Sequence, residues 1–165
     1  GIMEAAAKAA VTEGRTSFLP HGVVVSRSID TNSGLDFLIL QLPSGRSLYY
    51  PKPAITQNRF GRPSVSYMGQ NQTTKKWERI ETYGGKLAEN LTQAVARDCL
   101  ADAITRLEEA GFPVVFHIHD EIVVDVSPEK QDLAEMKRLM AAVPKWAEGL
   151  PLKAEGWSNG FFKKD

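Results

Sequence analysis

The sequence predicts an α+β fold, and three patterns along its 165 residues point to that class. Short β-prone runs separated by Pro- and Gly-containing turns dominate residues 1–84. A long amphipathic helix pattern follows, and two short apolar runs then enclose the polar stretch "HIHDE" at 117–121. We therefore expect an antiparallel sheet that includes this hairpin, with helices packed behind it and a β-rich extension in the first half.

The first half alternates strand patterns with turn residues. A short helix pattern at 3–12 comes first, and Gly14 is expected to end it. Pro51 and Pro53 interrupt the β pattern, because proline has no N–H to donate to a ladder. The remaining β-prone runs predict strands at 21–29, 35–42, 47–50, 63–69 and 74–84.

The second half begins with a helix pattern at about 85–110, in which apolar residues recur at helical spacing and a glycine follows directly. The runs "VVFHI" and "EIVVDV" predict two strands joined by a turn at His119 and Asp120. Beyond this hairpin, Ser127 is expected to cap a further helix, and residues 151–157 are expected to form a last strand.

Charge is unevenly distributed along a chain whose formal net charge is zero. Residues 1–86 hold 11 Lys/Arg and 6 Asp/Glu, whereas residues 87–165 hold 9 and 14. This asymmetry suggests a polyanionic partner for the basic part and a cation-binding centre in the acidic part. The sequence contains no run of about 18 apolar residues, so it predicts no membrane span. The single cysteine, Cys99, allows no disulfide within the chain, which is consistent with a reducing cytosolic setting.

The predicted turn offers two neighbouring carboxylates, those of Asp120 and Glu121. Mg²⁺ prefers oxygen ligands and is usually held by one or two carboxylates together with substrate phosphates. The apolar runs on both sides of the turn predict a rigid, buried support for these acids. The residues therefore indicate a candidate magnesium site suited to phosphoryl transfer.

Two other interpretations of this turn stay open. His117 and His119 could supply zinc ligands, but a zinc hydrolase needs further ligands, and the one remaining histidine is His21 in the basic half. The stretch could equally be a polar hairpin turn without function, since Asp is common in turns.

The surrounding sequence resembles the C-terminal palm region of family A DNA polymerases, and phage-encoded members above all. The resemblance is carried by "HDE" between two apolar strands, after a helix reading "TYGGKLAENLTQAVARDCLADAITRLEEAG". Within that helix, "QAVARD" at 93–98 is similar to the segment that precedes the third polymerase motif. The β runs before it resemble the insertion that phage members have at this place. The likeness extends over essentially the whole chain.

The resemblance implies a single palm-like domain over 1–165, with a β-rich insertion at 1–84 and the helix, hairpin and helix at 85–165. The sheet would be of palm type, with the catalytic hairpin packed on long helices. Asp120 would be a catalytic metal-binding aspartate, Glu121 an auxiliary acid at the same Mg²⁺ ions, and His119 a contact to the primer-terminal backbone. Two Mg²⁺ ions would serve deoxynucleotidyl transfer from deoxynucleoside triphosphates.

The resemblance also implies contacts to a DNA primer–template. Gln93 would face the minor groove, where every base pair offers similar acceptors, so that a donor can check pairing without reading sequence. Arg97 lies one helical turn later and could reach a phosphate or pair with Asp98. Further basic candidates for DNA binding in the β half are Lys75, Lys76 and Arg79.

Two parts of the family pattern have no counterpart in this sequence. One is the first motif with the other metal aspartate, and the second is the fingers helix whose Lys and Tyr hold the incoming nucleotide. Ala94 also stands where Gly is common, and Glu89 where many bacterial relatives have Asn. The resemblance therefore implies a fragment or subunit, completed by the missing polymerase segment in cis or in trans, that is inactive alone. It would work in the cytoplasm of a bacterial cell, encoded by a phage or prophage.

Two functions of other classes compete with this one. A metal-dependent phosphohydrolase could be built on His119, Asp120 and Glu121. A nucleic-acid-binding module without catalysis would combine basic residues with aromatic ones, because cations suit backbone contacts and rings suit base stacking. The residues available to such a module are Lys75, Lys76, Trp77, Arg79, Arg59 and Arg62.

Overall fold

The computed structural model describes residues 1–162 and confirms the predicted α+β class. Three helices are present in these residues: α1 (Ile2–Glu13), α2 (Gly84–Glu109) and α3 (Leu133–Met140). The strands of the first half are β1 (Ser17–Phe18), β2 (Val24–Asp30), β3 (Leu35–Gln41), β4 (Ser47–Pro51), β5 (Ala54–Gln57), β6 (Pro63–Gln70) and β7 (Trp77–Thr82). Strands β8 (Val114–Ile118) and β9 (Glu121–Val124) follow α2.

The chain divides into two compact units, Gly1–Val95 and Ala96–Asp165, and the division falls within α2. The strands form three antiparallel sheets with the orders β1-β2-β3-β4, β5-β6-β7 and β8-β9. The sheet that contains the polar hairpin therefore consists of two strands in the described residues. None of the helices in residues 1–162 combines the length and the apolarity that crossing a bilayer requires.

The core of the first unit forms around α1, whose buried face is made of small residues. Ala7 and Ala10 are fully buried there, and an alanine face lets the helix approach a sheet closely. Gly14 ends the helix in the left-handed conformation at φ 64°, as predicted. The core cluster comprises Ala6, Ala7, Ala10, Val11, Val25, Leu38, Leu40, Tyr50, Val65 and Leu87.

A half-buried arginine joins α1 to the four-stranded sheet. The guanidinium of Arg27 donates to both carboxylate oxygens of Asp36, at 2.9 and 2.8 Å, and to the backbone carbonyl of Val11 at 2.6 Å. The hydrogen bonds to Asp36 raise the pKa of Arg27. Arg27 thus donates to a carbonyl in the last turn of α1 and also forms an ion pair that joins β2 to β3.

The second unit has a smaller buried set. In its described residues the buried apolar side chains are Cys99, Leu100, Ala103, Leu107, Phe112 and Pro144. None of the residues of α3 is buried. Arg106 connects α2 to the segment around the end of α3, because it donates to the carbonyls of Leu139 at 3.0 Å and Ala142 at 2.9 Å.

Two predicted elements of the second unit were wrong. The helix after the hairpin begins at Leu133, where the Asp132 carboxylate accepts from the N–H of Glu135 at 2.9 Å. Ser127 precedes only a 3₁₀ turn, because polar residues follow it and the apolar stripe starts at Leu133. Residues 151–157 form no strand, and Pro151 has no N–H with which to join a ladder.

Candidate functional site

The polar turn lies at the tip of the β8–β9 hairpin, as predicted. Ile118 pairs with Glu121, so that His119 and Asp120 form a two-residue connection. His119 adopts φ 53°, because two-residue hairpin turns require a left-handed conformation at their first central position. We call residues His119–Glu121 the HDE turn.

The hairpin beneath the turn is not the buried support that the apolar sequence predicted. Val115 is 58% exposed and Phe116 is 37% exposed. The register shifts between Val114 and Phe116, so Val115 is the extra residue of a β-bulge. The hairpin is anchored at its base, where the Val114 N–H donates to the Glu108 carboxylate at 2.6 Å. Local apolar composition predicted the strands correctly, but it could not show how much of their surface another element covers.

The three side chains of the HDE turn are exposed and uncommitted. Within residues 1–162, no hydrogen bond or ion pair engages the Asp120 or Glu121 carboxylate or the His119 ring. These acids therefore present free oxygen donors of the kind that Mg²⁺ takes. In the same range, no group of three His, Cys, Asp or Glu side chains could hold a metal ion. The carboxylates fit part of a magnesium site but do not complete one.

The β6–β7 turn presents the predicted lysines to solvent. Its geometry depends on Asn71, whose side-chain oxygen accepts from the N–H groups of Thr73 at 2.8 Å and Thr74 at 3.1 Å. Lys75 takes φ 58° in this turn, and both it and Lys76 are exposed. The two ammonium groups are therefore available to a polyanion.

Arg79 lies on β7 and is partly committed to the fold. Its Nη1 donates to the Lys52 carbonyl at 3.1 Å and to the Ser66 hydroxyl at 3.2 Å. Lys52 itself adopts φ 48° between two prolines, and Arg79 satisfies its carbonyl. The arginine therefore has a structural role in addition to the DNA contact predicted for it.

Helix α2 contains the two other predicted DNA contacts and the only cysteine of the sequence. Gln93 and Arg97 are both exposed. Cys99 is buried, and burial together with the carboxylates of Asp98 and Asp102 raises the pKa of its thiol. A neutral, buried thiol is a packing residue rather than a nucleophile.

Sequence reasoning assigned no role to Phe60 and Tyr83. Both rings are exposed, at 71% and 60%, and both line one cavity of about 280 Å³ in the first unit. The available sequence signal was "NRFGR" at 58–62, an aromatic residue between two arginines in a turn with Asn and Gly. The pairing with Tyr83 depends on the fold, because it joins the β5–β6 turn to the end of β7.

Comparison with known proteins finds a strong likeness in sequence to a phage protein. The chain is 44% identical over 164 residues, 99% of its length, to a protein named DNA polymerase from Bacillus phage SP02. It spans 24% of the length of that relative. No protein-family model matches the chain, and no solved structure matches it.

Proposed function

We propose that this chain is part of a DNA-directed DNA polymerase of family A, and that it supplies the C-terminal palm region. The observation that supports this most strongly is the 44% identity to the phage polymerase, which covers 99% of the chain. The accessible HDE turn at a hairpin tip agrees with the role of the third polymerase motif. The setting would be the cytoplasm of a bacterial cell, with the gene in a phage or prophage.

In this proposal Asp120 is a metal-binding aspartate, Glu121 an auxiliary carboxylate, and His119 a contact to the primer-terminal backbone. Mg²⁺, when bound, would favour the ionised 3′-hydroxyl and neutralise charge on a leaving pyrophosphate. His119, in the left-handed conformation, and Asp120 form the two-residue turn, and the two acids make no hydrogen bond or ion pair within residues 1–162. The chain's contribution is thus to hold two carboxylates ready at a fixed turn.

The proposed DNA contacts are Gln93, Arg97, Lys75, Lys76 and Arg79. Gln93 and Arg97 are exposed on α2, and the lysines are exposed at the β6–β7 turn. Arg79 can add a phosphate contact with the donors that Lys52 and Ser66 leave available. Cationic contacts to phosphates hold a duplex in place without reading its sequence.

The chain alone is not a competent polymerase in this proposal. Two carboxylates cannot complete a two-metal centre, and the residues contain no counterpart of the fingers helix that would hold a nucleotide. We expect no templated extension by the isolated chain with Mg²⁺ and deoxynucleotides. Extension should return when the missing segment is supplied in cis or in trans.

The decisive variant is Asp120→Asn in the completed polymerase, compared with Asp125→Asn. Both replace an exposed carboxylate of the same hairpin region by an isosteric amide. Asp120→Asn should lower the rate of primer extension by at least about 1000-fold, a loss of the size expected when a metal-borne charge interaction disappears. Asp125→Asn should leave the rate within about twofold, since Asp125 follows the last residue of β9 and lies outside the turn.

Binding of a labelled primer–template, measured in the same preparations, completes the test. Affinity should stay within about twofold for both variants, because removing a carboxylate removes no phosphate contact. Robust extension by the isolated chain would contradict the proposal, as would extension that survives Asp120→Asn. A collapse of binding with Asp120→Asn would mean that the acidic turn is structural.

The second candidate function is a nucleic-acid-binding module without catalysis. It is favoured by the exposure of Trp77, 65%, beside the two exposed lysines of the β6–β7 turn. Under this alternative, Lys75→Ala and Lys76→Ala would weaken binding, and no completed form of the protein would extend a primer. A phosphohydrolase on the HDE turn has less support, because no three-ligand group exists in the described part of the chain.

A further inference from the structure

The β5–β6 turn has an ordered backbone and presents the aromatic ring of Phe60 to solvent. The Asn58 side-chain oxygen accepts from the N–H groups of Phe60 at 2.9 Å and Arg62 at 3.0 Å. The Asn58 N–H donates to the Arg62 carbonyl at 2.9 Å, and Gly61 takes φ 71°. The turn is therefore ordered by its own hydrogen bonds, and the exposed Phe60 ring takes no part in holding it.

A second exposed ring faces the same cavity. Tyr83 follows the last residue of β7, and its ring lies over Gly85, where an added Cβ would come within 2.9 Å of a ring carbon. The absence of a side chain at Gly85 thus leaves room for the ring. Two exposed aromatic rings from separate elements of one unit line one cavity of about 280 Å³.

Two residues of the lining are buried in the β6–β7 ladder. Ser64 and Thr82 are 5% and 2% exposed, and the Ser64 hydroxyl donates to the Thr82 backbone carbonyl at 2.7 Å. Thr82 pairs with Val65 of the core cluster, so its side chain lies on the opposite face of the strand from Glu81 and Tyr83. Glu81 rather than Thr82 is therefore the polar side chain of β7 that a ligand in the cavity can meet.

The interior and the rim of the cavity differ in the sign of their charge. Glu81 belongs to the lining, where a carboxylate repels phosphate but accepts from amino or imino groups. Arg59 lies over the Phe60 ring at 4.7 Å, and Arg62 is exposed in the same turn. A flat aromatic group with polar edges suits the interior, and a phosphate suits the arginines.

We propose that this cavity binds a base of single-stranded nucleic acid. The base stacks against Phe60 and Tyr83, its polar edge meets Glu81, and the adjoining phosphates meet Arg59 and Arg62. A single strand is required because bases within a duplex are already stacked and paired. The inference rests on the proposed nucleic-acid function for the choice of ligand, but it uses no residue of the HDE turn.

The test measures binding of the 165-residue chain to a fluorescently labelled oligothymidylate by anisotropy. Phe60→Ala should weaken binding by about 5-fold to 100-fold, the loss expected for one stacked base. The control is Phe18→Ala, which removes another exposed ring of the same unit, 82% exposed, outside the cavity. It should change affinity by less than twofold, and the thermal midpoints of both variants should match that of the parent chain.

Two further arms identify the contact as a base in the cavity. An oligonucleotide of the same length without bases should bind the parent chain about as weakly as the intact strand binds Phe60→Ala. Tyr83→Ala, which removes the second exposed ring of the lining, should weaken binding of the intact strand by at least about threefold.

Equal binding of the intact and base-free strands would overturn the proposal, because phosphate attraction alone would then explain the affinity. So would a Phe60→Ala chain that binds like Phe18→Ala. Failure of the proposed polymerase function is distinguishable, since Asp120→Asn leaves this binding unchanged. Loss of extension with Asp120→Asn can likewise occur whether or not the oligothymidylate binds.

Discussion

The two units of this chain reach stability by different means. In the first, α1 and two sheets enclose a cluster of buried apolar side chains, and Arg27 ties helix to sheet. In the second, the buried apolar residues lie along α2 and at Phe112 and Pro144, and neither α3 nor the hairpin contributes a buried side chain. Arg106 joins the parts of this unit through backbone carbonyls.

The larger core and the candidate catalytic turn therefore lie in different units. The HDE turn lies in the unit with the smaller core, on a hairpin whose Val115 and Phe116 are exposed. Small cores bury a smaller share of their apolar surface and have less stability to spare. Elements that act in catalysis are often drawn from the less stable part of a structure.

The largest expected effect is in the core of the first unit. Leu38 is fully buried on β3, and Leu38→Ala should lower the free energy of unfolding by about 2–5 kcal/mol, through lost burial and the cavity left behind. Leu35→Ala, on the same strand but 53% exposed, should change it by less than about 0.5 kcal/mol. Urea denaturation followed by circular dichroism measures both. Equal losses would mean that the first unit has no closed core.

An intermediate effect is expected in the second unit from Arg106→Gln. The substitution removes donors to the Leu139 and Ala142 carbonyls and the ion pair with Asp102. We expect a loss of about 1–3 kcal/mol, as for hydrogen bonds to a charged group. Amide hydrogen exchange should show the loss in α3 and the end of α2, with protection of β2 and β3 unchanged. Loss of protection in β2 and β3 would contradict the separation of the units.

The sequence predicted the ends of elements and the turns of both units well where a few neighbouring residues determine the local structure. Gly14 ended α1 as expected, and His119 and Asp120 formed the two-residue turn. The start of α3 was misplaced because Ser127-Pro128 and Asp132 with Glu135 are both starting signals, and the apolar stripe decides between them. Whether the hairpin had a covered face was not predictable, since burial depends on elements distant along the chain.

The same limit applies to the candidate sites. The acids of the HDE turn were visible in the sequence, because two neighbouring residues supply them. The partners of Arg79 were not, since Lys52 lies between β4 and β5 and Ser66 lies on β6. The cavity of Phe60 and Tyr83 was equally hidden, because 22 residues of chain separate its two rings and only the pairing of β5, β6 and β7 brings them together.

The smallest expected effect concerns the titration of Cys99, which is buried in the second unit. Burial raises the pKa of its thiol in the folded chain, so the folded state favours the neutral form. Its contribution to stability is therefore fully present below the ordinary thiol pKa of about 8.5 and is lost as pH rises above that value.

The measurement is the free energy of unfolding between about pH 7 and pH 10, for the parent chain and for Cys99→Ala. Stability of the parent chain should fall more steeply with pH, because its unfolded state releases the thiol proton first. The difference should be confined to the alkaline side, since no other titrating group changes between the two proteins. Parallel pH profiles would mean that the second unit opens readily enough to expose Cys99, and that its small core is not closed even around α2.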